Sequence, residues 1–130
     1  MRPLVILVLL WSALSLLGFG AAICYAPIEV MAMAAVHADS AAAVVELRAF
    51  YGGLELALGA LVLVCALRPT RRRDGLWLSL AIFAGIGLTR AAGMLQEHVD
   101  SDFLRLALLV ELGTALAAAG VLYLTRTPRP

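Results

Sequence analysis

The apolar positions of the chain fall into four long runs separated by three polar stretches. A helix needs about 20 mainly apolar residues to cross the hydrocarbon core of a bilayer. The runs reach that length at about residues 4–24, 48–67, 75–95 and 103–125. Helix start and stop signals agree with these limits. Asp39 or Ser40 is placed to cap the second helix, which then begins near Ala41. Asp74 is placed to cap the third, Ser101 and Asp102 precede the fourth, and Pro128 lies just beyond its end. No segment alternates with period two as a membrane barrel strand does. The pattern predicts an all-α fold, a four-helix transmembrane bundle that makes one domain of residues 1–130.

The first polar stretch, Tyr25 to Val45, is long for a bundle connection. Within it, Ile28, Met31, Ala32, Ala35 and Val36 follow helical spacing, with Glu29 and His37 off that face. This predicts a short amphipathic helix on the outer surface. The first apolar run has a second reading. Arg2, the run itself and Gly20-Ala21-Ala22 also fit a cleaved signal peptide, although the run exceeds the roughly 7–15 residues of such a core. Cleavage would leave three spans. Ile23 stands where a lipoprotein site before Cys24 wants a small residue.

Composition supports the membrane reading. Hydrophobic residues make up 63% of the chain, above the roughly one half of a soluble domain. A soluble domain of this size keeps too much of its area in water to hide that surface. The net charge of +1 gives no basic field for nucleic acid. All ten basic residues are arginine, and their placement sets the orientation. Short cytoplasmic loops are enriched in Lys and Arg. Arg2 precedes the first span, Arg68, Arg71, Arg72 and Arg73 fill the second connection, and Arg126 and Arg129 follow the last span. The other connections carry Glu29, His37 and Asp39, and Glu97, His98, Asp100 and Asp102. The expected topology is N-in and C-in, in a cytoplasmic (inner) membrane. Trp77 and Tyr123 then fall at the inner interface and Tyr25 at the outer one.

Cys24 and Cys65 sit at opposite ends of their spans, about 30 Å apart. A disulfide needs Cα atoms within about 7 Å, so both read as packing residues. His37 and His98 lie in polar loops without a ligand set around them, and no metal or cofactor is expected.

Charges inside a membrane are costly and need partners or a wet cavity. Glu55 lies nine residues inward from Glu46, Glu111 eight from Phe103, and Arg90 five from Leu95. At 1.5 Å per residue these are depths of about 13, 12 and 8 Å. Three helices thus bring two carboxylates and a guanidinium to similar depths in the outer half of the bundle. At helical spacing Arg48, Tyr51, Gly52, Glu55 and Gly59 share one face. The expected arrangement has Arg90 between Glu55 and Glu111, Tyr51 donating a hydrogen bond, and Arg48 nearer water. These two carboxylates and Arg90 leave one negative charge, offset by protonation of one glutamate or by Arg48. Glu46 and Arg105 are secondary candidates, Arg105 first as an interfacial anchor. Gly52, Gly53, Gly59, Gly87 and Gly93 are expected to admit neighbouring helices. A cluster of this kind also serves simply to fix which helices pack together.

The segment Glu46-Leu-Arg-Ala-Phe-Tyr-Gly-Gly-Leu-Glu55, followed by Arg90 within Gly87-Leu-Thr-Arg-Ala-Ala-Gly93, resembles a bacterial family of small four-helix membrane proteins. That family is catalogued as a domain of unknown function. The resemblance covers most of the chain and implies that Glu46, Arg48, Tyr51, Gly52, Gly53, Glu55 and Arg90 belong to the family pattern. It implies no activity. A more distant similarity is to DoxX-like four-helix proteins, some linked to quinone or thiol redox chemistry, for which this chain lacks the cysteine pair.

Three functions compete. The first is a binding module for a lipid headgroup, a quinone or another small amphiphile at the charged cluster. The second is a non-catalytic subunit or assembly factor, with a homodimer or another membrane protein as partner. The third is an enzyme or proton-coupled transporter, which ranks last. The sequence has no nucleophile–base pair, phosphate loop or metal set, and no broken, repeated helices.

The topology is open to a direct check. With Cys24 and Cys65 replaced by Ala, an impermeant maleimide is expected to label His37→Cys and Glu97→Cys in intact spheroplasts, and Thr70→Cys only after lysis. Labelling of Thr70→Cys before lysis would invert the orientation.

Overall fold

The computed structural model describes residues 2–125. Among them there are helices and turns and no strand. Helix α1 runs Arg2–Tyr25, and α2 is a short piece, Pro27–Ala32. Helix α3, Ala41–Glu46, continues through a π-helical turn, Leu47–Gly53, into α4, Leu54–Leu67. A 3-10 turn, Pro69–Arg71, leads into α5, Arg72–Gln96, and α6 runs Asp102–Leu124. Four spans of 24, 27, 28 and 23 residues are long and apolar enough to cross a membrane. The chain is therefore a small multi-pass membrane protein. Arg126, Pro128 and Arg129 lie outside the described residues.

Local chemistry explains the helix limits. Ser40 and Ser101 are extended in backbone, and their hydroxyls accept from the Ala43 and Leu104 N–H groups at 3.1 and 3.2 Å. Ser40, rather than Asp39, is thus the cap of the second span. Asp74 does not cap the third. The helix begins at Arg72, and Asp74 lies in its first turn, where a carboxylate still meets the positive end of the dipole. The predicted surface helix is shorter than its apolar spacing implied. Ala35 takes a left-handed φ of 58° and the Val36 N–H donates to the Met31 carbonyl, which closes the helix. Met31 and Pro27 are buried, while Ile28 and Val36 are exposed. His98 ends α5 in the same way, with φ 51° and Val99 N–H on the Met94 carbonyl.

The helices pair tightly as α1 with α4 and α5 with α6, and the pairs meet through α4, α5 and α1. The core is made of Val8, Leu9, Ala13, Leu16, Val62, Leu76, Phe83, Ala118 and their neighbours. Leu7, Leu14, Leu61, Leu88, Leu109 and Leu116 point outward, as helices solvated by lipid display them. Cys24 and Cys65 are both free.

Backbone contact sets the α1–α4 seam. A Cβ added at Gly20 would lie 2.8 Å from the Gly52 carbonyl oxygen and 2.9 Å from the Leu56 nitrogen. One at Gly59 would lie 2.9 Å from the Leu17 nitrogen and 3.1 Å from the Ala13 oxygen. One at Gly52 would meet Cys24 Sγ at 2.5 Å. Gly87 serves the α5–α6 seam, where a Cβ would approach Leu112 to 2.8 Å and Glu111 Cβ to 3.2 Å. Two expected packing glycines do not act this way. Nothing lies within 4 Å of a Cβ at Gly93, and one at Gly53 would meet only Arg48 O of its own helix, at 3.6 Å.

Gly59→Ala is expected to lower thermal stability by about 1–3 kcal/mol, the usual cost of overpacking. Gly85→Ala, with nothing within 4 Å, is expected to leave stability unchanged or raise it slightly. Unfolding of both variants in the same detergent checks the contrast.

Candidate functional site

Arg90 and Glu111 face each other across the α5–α6 seam, close to the point where Gly87 lets the helices meet. The guanidinium grips the carboxylate with one edge. Nε donates to Oε2 at 2.8 Å and to Oε1 at 3.1 Å, and Nη2 donates to Oε1 at 2.6 Å. This is the forked geometry that only arginine offers a carboxylate. Only 28% of the Arg90 side chain and 11% of Glu111's remain exposed. Nη1 of Arg90 makes no hydrogen bond among the described residues.

Glu55 approaches this pair from α4. It is half-buried and feels the charges of both Glu111 and Arg90, yet no hydrogen bond or ion pair joins it to any described residue. Arg90 therefore does not bridge the two carboxylates as expected. Its inner edge is taken fully by Glu111, and Glu55 stays beyond ion-pair distance. Tyr51 is 47% exposed. It lies within electrostatic reach of Arg90 without the expected hydrogen bond. The site thus has one satisfied pair and, beside it, an unengaged carboxylate, a phenol and an unengaged guanidinium edge. Tyr51, Gly53 and Leu54 are exposed on the outside of the bundle, so this side of the cluster opens laterally.

Arg48 stands apart. Its Nε donates to the Cys24 carbonyl at 3.2 Å, at the last turn of α1. A cation there satisfies a free carbonyl and the negative end of a helix dipole. Straight-helix phasing placed Arg48 over Glu55. The π turn undoes that phasing, because Leu54 N–H donates to Ala49 O five residues back and the wider turn alters the angle between residues on either side. Such turns recur at functional sites. Nothing in the residue pattern marked this one except Gly52-Gly53, the pair at its end.

The secondary candidates also separate from the cluster. Glu46 is exposed and makes no hydrogen bond or ion pair among the described residues. Arg105 forks onto Asp100, with Nε and Nη2 each donating to a carboxylate oxygen, and lies 3.9 Å from Asp102. It holds the Asp100 carboxyl below its ordinary range. As a surface pair this tethers the loop between α5 and α6 to α6 and is screened by solvent. A further polar link was not foreseen. Trp11 Nε1 on α1 donates to Thr114 Oγ1 on α6 at 2.9 Å. Thr114 lies on the same face as Glu111, one turn on, and its hydroxyl donates to Val110 O at 2.7 Å.

The pattern of these residues can be set beside known families. A domain of unknown function, DUF4345, matches residues 5–123. The chain belongs to the DUF4345 family. The match spans all four membrane helices and every residue of the cluster, so the charged site lies within the DUF4345 domain. No curated protein and no solved structure matches the chain.

Removing one partner of the Arg90–Glu111 pair leaves a desolvated charge. Glu111→Ala or Arg90→Ala is expected to cost more than the roughly 0–1 kcal/mol of an exposed pair and to approach the roughly 3–5 kcal/mol of a buried one. Glu55→Gln, which breaks no bond, is expected to stay within about 0.5 kcal/mol of the parent. Equal losses for Glu55→Gln and Glu111→Ala in a detergent melt would contradict this ranking.

Proposed function

We propose that this chain is a binding module of the bacterial inner membrane, which holds a small amphiphile at Glu55, Tyr51 and Arg90. The single observation behind this reading is the unengaged carboxylate of Glu55 beside the unengaged edge of Arg90. In lipid, a polar group without a partner is expensive. A ligand headgroup carrying both a donor for Glu55 and an acceptor for Arg90 would satisfy both. A lipid headgroup or a quinol fits that description. The lateral opening favours a ligand that arrives through the bilayer rather than from water. Glu111 would serve as a positioning residue that orients Arg90 by its two-point grip.

A second reading, the assembly subunit, draws on a different observation. Gly113, Ala117 and Gly120 lie exposed along α6, with open space around both glycines. Small residues on a lipid-facing helix let another helix approach closely. The partner would be a second copy or another membrane protein.

Native mass spectra of the protein released from lipid nanodiscs test both readings. The binding reading expects a stoichiometric small-molecule mass on the parent chain that is absent from a folded Glu55→Gln variant. A bare parent chain, or an adduct indifferent to Glu55→Gln, would overturn it. A second polypeptide, lost in Gly113→Leu, would support the subunit instead.

A further inference from the structure

The end of the bundle away from Glu55 contains a cavity of about 420 Å³ lined by Arg2, Val5, Pro69, Arg72, Arg73, Leu76 and Thr125. We infer that this cavity is a second binding site, for the phosphate-bearing headgroup of an anionic phospholipid. Three observations carry the assignment, and none depends on the proposal for Glu55.

The first is charge convergence. The arginines of the second connection are explained as a topology signal, which requires only that they lie on one side of the membrane. That rule does not require Arg72 and Arg73 to meet Arg2, from the start of another helix, around one cavity. Among the described residues, no carboxylate lines it. Asp74, the next residue along, is exposed and outside the lining. Three arginines from two helices therefore line one space, with no acidic residue among its described lining.

The second is that the lining is built rather than splayed. Arg72 is half-buried, and its Nε donates to the Ala66 carbonyl at 3.2 Å, across the turn from α4. That bond fixes the guanidinium plane and leaves the Nη groups for an anion. The first turns of α1 and α5 both contribute lining residues, so the positive ends of two helix dipoles point the same way. Val5 and Leu76 supply buried apolar lining.

The third is position. Arg2 and Arg72 are the first residues of α1 and α5, within the first turn or so of two apolar spans. Trp77, one turn into α5, and Tyr123, near the end of α6, are both exposed, where an aromatic belt would mark the headgroup layer. Leaflet phosphates are concentrated at that depth. Basic pockets between membrane helices on the cytoplasmic side are a recurrent site for anionic headgroups. The volume lies within the roughly 300–1,000 Å³ of small-ligand pockets, sufficient for a glycerophosphate group with its acyl chains left in lipid.

The test is native mass spectrometry of the full-length chain in detergent, titrated with phosphatidylglycerol or phosphatidylcholine. Phosphatidylglycerol is expected to bind at one per chain, at least about tenfold tighter than phosphatidylcholine. Arg2→Gln and Arg73→Gln are each expected to weaken it about fivefold. Arg68→Gln and Arg71→Gln, which remove the same charge outside the cavity, should leave it unchanged. Circular dichroism melts confirm that each variant is folded, and Arg73→Lys, which retains the charge, should restore most of the binding. Glu55→Gln should bind phosphatidylglycerol normally, which separates this site from the one proposed above. Equal affinity for phosphatidylcholine, or equal losses from all four arginine variants, would overturn the site as mere diffuse attraction. Displacement of the lipid by glycerol phosphate at comparable concentration would overturn the lipid and assign the cavity to a soluble phosphate.

Discussion

The fold depends on close helix-to-helix contact at a few glycines. In lipid, burying an apolar side chain against another helix exchanges one hydrocarbon neighbour for another, so the hydrophobic effect gives little reason for helices to associate. What remains is dispersion, which grows as surfaces come closer and more atoms touch. Gly20, Gly52 and Gly59 bring α1 and α4 so close that one side-chain carbon at any of them meets another atom under 3.0 Å. Gly87 does the same for α5 and α6. The two tight pairs follow from these four positions. Larger residues such as Leu9, Leu76 and Phe83 then fill the space between the pairs.

The charged cluster is a consequence of the same contacts. Arg90 sits three residues from Gly87, and Glu111 lies where α6 rests against that glycine. The short interhelical distance lets the guanidinium reach the carboxylate with two nitrogens. A pair so placed offsets much of its desolvation, while Glu55, on the neighbouring helix, is left with charge nearby and no bond. The cluster therefore divides in two. Arg90 and Glu111 form a bonded pair between α5 and α6, and Glu55 and Tyr51 beside it make no hydrogen bond among the described residues. The π turn belongs to this division, because it directs Arg48 to the end of α1 and away from Glu55.

Polar groups elsewhere are handled by the helix ends. Ser40 and Ser101 cap two spans, Arg48 and Arg72 each take a carbonyl near the end of another helix, and His98 and Ala35 accept left-handed backbone to close helices. Ser79 Oγ is an exception, buried without a partner among the described residues. The arginines at the two ends do different work. Arg105 ties a loop to its helix, whereas Arg2, Arg72 and Arg73 surround an open space.

The sequence by itself determined the number of spans, their limits to within a few residues, and the residues that carry charge inside them. These follow from local quantities: run length against bilayer thickness, cap chemistry, and the cost of a charge in hydrocarbon. It also marked Gly52, Gly59 and Gly87 as contact points, though Gly53 and Gly93 carried the same signal and face no other helix. Only the tertiary structure decided which glutamate Arg90 holds, that Arg48 serves α1, that Trp11 reaches Thr114, and that Arg2 joins Arg72 and Arg73 around a cavity. Depth along a span is readable from residue counting, because rise per residue is constant. Direction around the span is not, because one π turn re-aims every residue beyond it and the neighbour it meets is set by helices distant in the chain.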